Sequence, residues 1–150
     1  MKKEIFKVTL ISGMLDIMAA FSQAYMVRKT PPDIVLRYIA SGLFGKPAFS
    51  GGVIYPTLGL VFHFLIVFAC AVTYFWLFTR VALLRRSVLL SAFLIALVAW
   101  VVTTQVVIRL SKITAAPVEL NSALVAIVIL WICVGLPIAF MAKQHFKKTE

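Results

Sequence analysis

The sequence predicts an all-α integral membrane protein, a four-helix bundle with a short amphipathic helix in the membrane interface between spans 1 and 2. Three observations carry this prediction. First, 63% of the 150 residues are hydrophobic and only 13% are charged, and a soluble domain of this size has no interior large enough to hide that much apolar side chain. Second, four apolar runs approach or exceed the roughly 20 residues a helix needs to cross a bilayer. Third, the net charge of +10 is carried by lysines and arginines at the ends of those runs, where lipid headgroups lie. This placement also argues against nucleic acid as a partner, since a basic chain binds phosphate backbones through a basic face on a soluble surface.

Span 1 is predicted over residues 8–27, with Arg28 and Lys29 ending it. Its basic start and the Ser22–Ala24 spacing resemble a signal peptide, but Asp16 interrupts the apolar stretch, so it reads as a retained span. The segment "TPPDIVLRYIASGLFG" follows. Thr30 as cap, proline at the first helical position and Asp33 three residues after the cap form a helix-start signature. Ile34, Val35, Tyr38, Ile39 and Leu43 recur at helical spacing, and Gly45 supplies a stop. A helix over 31–44 is too short to span and is expected to lie in the interface. "KPAFSGG" reads as a turn-rich connection.

Span 2 is predicted over 53–79, about 40 Å of helix, with Tyr55 and Pro56 in the headgroup layer. "RVALLRR" reads as a short basic hairpin, followed by span 3 over 87–108. "RLSKITAAPVEL" leads to span 4 over 121–142, with Asn121 as a possible cap. Pro137 is expected to kink or loosen this last helix. With the N-terminus cytoplasmic, nine lysines and arginines fall on that side and six on the other, which favours cytoplasmic N- and C-termini.

Cys70 and Cys133 both lie inside apolar runs and read as packing residues. No phosphate-binding glycine loop, metal-spaced Cys/His set or serine–histidine–acid arrangement is present, so no enzyme activity, cofactor or metal is expected. The informative residues are polar ones inside spans. Ser12, Asp16, Ala19 and Gln23 form one stripe on span 1. Gly59, His63, Cys70 and Tyr74 line up on span 2, Ala92, Ala96, Ala99 and Thr103 on span 3, and Ser122, Ala126 and Cys133 on span 4.

Depth separates these residues. Counted from the cytoplasmic ends of the apolar runs, Asp16 lies about 12 Å in and His63 about 24 Å in. Two layers result: Asp16 near Cys70, Thr73 and Tyr74, and His63 level with Gln23, Thr103, Thr104 and Gln105. An Asp16–His63 pair is therefore not expected. Each of these polar residues also has a plain reading as an inter-helix hydrogen bond or a packing group.

In Asp16, "IASGLFGKPAFSGG" and "GLVFHF" the chain resembles a family of small uncharacterised bacterial inner-membrane proteins. The shared pattern is an aspartate in helix 1, I-A-S-G-L-x-G-x-x-A-x-x-G-G over Ile39 to Gly52, and G-L-x-x-H-F over Gly59 to Phe64. "VGLPIAFMAKQ" is similar to the family's last helix. The resemblance implies a four-span fold and no activity. The leading functional expectation is an accessory or scaffold subunit of a membrane complex, bound to a protein partner or a second copy through its helix faces. A small oligomeric transporter or proton-conducting module using Asp16 and the His63 layer is the alternative, followed by a haem- or quinone-binding electron-transfer subunit centred on His63.

Overall fold

The computed structural model describes residues 1–103 and 120–147, without the side chain of Ser122. Among the described residues the secondary structure is helical, with no strand. Helix α1 spans Lys2–Arg28. It starts six residues before the apolar run, because Ile5 and Val8 continue its inward face and Lys7 pairs with Glu4 one turn away, at 3.9 Å. Lys29 ends it in the left-handed conformation.

Helix α2, Pro32–Phe44, confirms the helical reading of the second segment but not its cap. Pro31, not Thr30, is the N-cap, with extended backbone at φ −72° and ψ 156°. The ring of Pro32 disfavours helical backbone at the residue before it, so the helix cannot start earlier. Gly45 ends α2 with φ 68°. The connection expected to be all turn contains one helical turn, α3, Pro47–Ser50. Arg37, only 14% exposed in its side chain, pins this connection in place. Its guanidinium donates to the carbonyls of Ala48 at 3.0 Å and Gly51 at 2.7 Å, and lies 3.8 Å from Asp33 Oδ2.

Helix α4 covers Ile54–Arg80. It runs antiparallel to α1 and is the main surface on which α2 packs. That approach is close: a Cβ on Gly59 would overlap the Leu36 carbonyl. The basic hairpin is built around a short helix, α5, Ala82–Arg86, between two extended residues, Val81 and Ser87. Ser87 then caps α6, Val88–Val101, by accepting from Leu90 N–H at 3.4 Å. The rest of the third predicted span, with Thr104 and Gln105, lies outside the described residues.

The last span comprises α7, Leu120–Leu130, a π-helical turn over Trp131–Gly135, and α8, Leu136–Lys147. Asn121 is inside α7 and is not a cap. Pro137 has no N–H, and its ring crowds the carbonyl four residues back. The chain answers by widening ahead of it, so that Leu136 N–H reaches the Trp131 carbonyl. Trp131 Nε1 also donates to the Leu89 carbonyl at 3.2 Å, joining this segment to α6.

An apolar core gathers Ile5 and Val8 of α1, Phe75 and Phe78 of α4, Ala92 and Ile95 of α6, and Val134 and Ile138 of the last segment. Phe78 stacks on Phe146 with centroids 5.2 Å apart. This core sits where the chain start, the α4–α6 connection and α8 meet. Three helices, Lys2–Arg28, Ile54–Arg80 and Ala123–Lys147, are long and apolar enough to cross a membrane. Only 33%, 33% and 22% of their most apolar windows are buried, so most of that surface faces outward, where lipid is its natural solvent.

Candidate functional site

The polar stripe of α1 turns inward as the wheel predicts. Ser12 and Gly13 are buried, and Asp16, Ala19 and Gln23 are half-buried. On α4, Gly59, His63 and Tyr74 are buried and Cys70 is half-buried. The depth prediction does not hold. His63 Nδ1 lies 4.0 Å from Asp16 Oδ2, so the pair excluded on depth is the one the fold makes.

The reason is the position of the helix start. Measured from Lys2, Asp16 is about 21 Å along α1, and His63 is about 26 Å from the Arg80 end of α4. The difference is about one turn. Counting from Val8 instead removes six residues, about 9 Å, and shifts Asp16 to the level of Cys70 and Thr73.

Three other expectations change with it. Thr73 is exposed on the outside of α4 and cannot meet Asp16. Tyr74 is buried, but its hydroxyl has no hydrogen-bond partner. It faces Ser91, whose own hydroxyl donates to the Val88 carbonyl at 3.1 Å. Thr103 is exposed. The separation of Asp16 and His63 into two layers is thus replaced by one acid–histidine pair, while Thr104 and Gln105 lie outside the described residues. Cys70 and Cys133 are free thiols.

The hydrogen bonding of His63 defines what the pair can do. Nε2 lies 2.9 Å from the Gly13 carbonyl oxygen, which can only accept, so Nε2 carries the hydrogen. Nδ1 is then a bare lone pair when the ring is neutral, and it faces a carboxyl group. With one proton shared between them, the two groups would be either carboxylic acid with neutral imidazole or carboxylate with imidazolium. Both arrangements are neutral overall, which suits an interior of low polarity. At 4.0 Å the gap exceeds a direct hydrogen bond, so a rotamer shift or a bridging water must close it for the proton to cross. Gly13 makes the approach possible, because a Cβ there would push into the Phe64 ring. Phe64 in turn meets the His63 ring edge-on, with centroids 5.5 Å apart.

Sequence reasoning missed two participants. Gly13 was not singled out, yet its carbonyl fixes the His63 tautomer. Arg37 was counted only as a boundary charge, and the one local hint of its role is Asp33 one turn earlier. His145, the other histidine, lies against Phe75 and Phe146 on α8, away from the pair. Among the described residues, no group of three or more His, Cys, Asp or Glu side chains is arranged to hold a metal ion.

No protein-family model, curated protein or solved structure matches this chain.

Proposed function

We propose that this chain is a four-span protein of the bacterial inner membrane, with both termini cytoplasmic, that handles protons at the Asp16–His63 pair as a small oligomeric transporter or proton-conducting module. The observation that carries this reading is the pair itself. Asp16 is the only acidic residue within an apolar run, and His63 is the only histidine within one. They are brought to 4.0 Å of each other from two different helices. Ionisable residues inside spans are costly, and the uses that retain them are proton and ion pathways. In this reading α2 lies in the interface, and α6 belongs to the fourth span.

The accessory-subunit reading keeps one specific support, the low burial of the last span, which leaves most of an apolar helix available to a partner. Co-purification from native membranes tests it. The haem reading gains nothing from the geometry, because both His63 ring nitrogens face protein groups. For the proton reading, purified protein is reconstituted in liposomes under a pH gradient. Flux above that of empty liposomes is expected, with Asp16→Asn reducing it at least about tenfold. Equal flux from wild type and Asp16→Asn would count decisively against it.

A further inference from the structure

Helix α1 carries three serine or threonine side chains inside its length, and two of them set the standard for the third. Thr9 Oγ1 donates to the Ile5 carbonyl at 2.8 Å, and Ser22 Oγ donates to the Met18 carbonyl at 2.8 Å. Bonding back to the carbonyl one turn earlier is the ordinary way a helical hydroxyl is satisfied. Ser12 does not do this. It is fully buried, and its Oγ has no hydrogen-bond partner. A buried hydroxyl left unpaired is costly and calls for an explanation.

Its position supplies one. Ser12 stands one helical turn before Asp16 on the same inward face, where side chains at this spacing are neighbours. Asp16 itself keeps one oxygen toward His63 Nδ1. A hydroxyl withheld from its own helix, next to a carboxyl group whose proton is shared with a histidine, has the chemistry of a proton relay. It donates and accepts at the same oxygen.

We propose that Ser12 holds a water molecule, or its protonated form, against the Asp16 carboxyl group, and is the station through which the Asp16–His63 pair gains and loses its proton. Hydronium gives a proton to the Ser12 oxygen as Ser12 passes its own to the Asp16 carboxylate. Neutral water remains, and the hydroxyl ends as it began. Release is the reverse. The proposal rests on the reading of Asp16–His63 as a proton site, but it does not require net transport across the membrane.

The test is the rate at which the proton of the Asp16–His63 pair exchanges with water, read at His63 Nδ1. It is read by nuclear magnetic resonance on protein with labelled histidine in lipid nanodiscs, in a His145→Gln background that leaves a single histidine signal. Ser12→Ala is expected to slow exchange at least about tenfold. Ser12→Cys, which keeps a weak donor and acceptor, should fall between Ser12→Ala and wild type. Thr9→Val removes the neighbouring hydroxyl that is already satisfied and should leave the rate unchanged. Wild-type exchange in Ser12→Ala overturns the proposal, and so does equal slowing by Thr9→Val. Liposome flux separates the two levels. Slowed exchange in Ser12→Ala with no wild-type flux keeps the station and removes transport. Unchanged exchange in a conducting protein removes the station and leaves transport standing.

Discussion

Two regions of the molecule are built on opposite terms. Where α1 begins and α4 ends, Ile5, Val8, Phe75, Phe78 and Ile138 fill the space between helices, and the core is apolar apart from the Tyr74 hydroxyl. Around the middle of α1, the interior instead holds Asp16, His63 and a Ser12 hydroxyl without a partner. The first region gains from dispersion and apolar burial. The second keeps a pair too far apart for a direct hydrogen bond and a polar atom left unsatisfied, both unfavourable for stability. In the proposed reading, the aromatic end holds the helices together and the polar middle is retained for what it can exchange.

The sharpest way to break this comparison is to weaken the aromatic end. Phe75 is 1% exposed and touches both His145 and Phe146. Phe75→Ala should cost about 3–5 kcal/mol in reversible unfolding from detergent micelles. A loss no larger than that of a surface change would show that the helices are held elsewhere. A smaller effect is expected at the α2–α4 crossing. Gly59→Ala puts a methyl group into the Leu36 carbonyl, and separating the helices should cost about 1–3 kcal/mol by the same measurement. The smallest change is expected at Tyr74. Removing its unpartnered hydroxyl with Tyr74→Phe should alter stability by less than about 0.5 kcal/mol. A loss of 2 kcal/mol or more would reveal a hydrogen bond of that hydroxyl that matters.

Much of this fold was legible in the sequence, for identifiable reasons. Apolar run length located α1 and α4, and proline, glycine and Ser87 marked where α2 and α6 start or stop. Pro137 announced the disturbance that the π turn at Trp131–Gly135 absorbs. The inward faces followed from helical periodicity, so Ser12, Asp16 and His63 were all found as candidates. Their meeting was not. It depends on register between two helices, and register was counted from the onset of hydrophobicity at Val8. The helix starts at Lys2, in a stretch where charged residues alternate with core positions Ile5 and Val8. Thr73 was misplaced by the same count, and its exposure follows from lying well off the His63–Tyr74 face. The grip of Arg37 on Ala48 and Gly51 joins residues 11 and 14 positions apart through backbone carbonyls, which no side-chain pattern encodes.

The central claim is that Asp16 and His63 meet inside the membrane-spanning helices. Paired cysteines test it directly, in a background where Cys70 and Cys133 are replaced by alanine. Asp16→Cys combined with His63→Cys should be joined rapidly by a short bifunctional thiol reagent in native membranes, whereas Asp16→Cys combined with Thr73→Cys should not. Cross-linking of the Asp16–Thr73 pair in preference to Asp16–His63 would contradict the register, and with it the acid–histidine site.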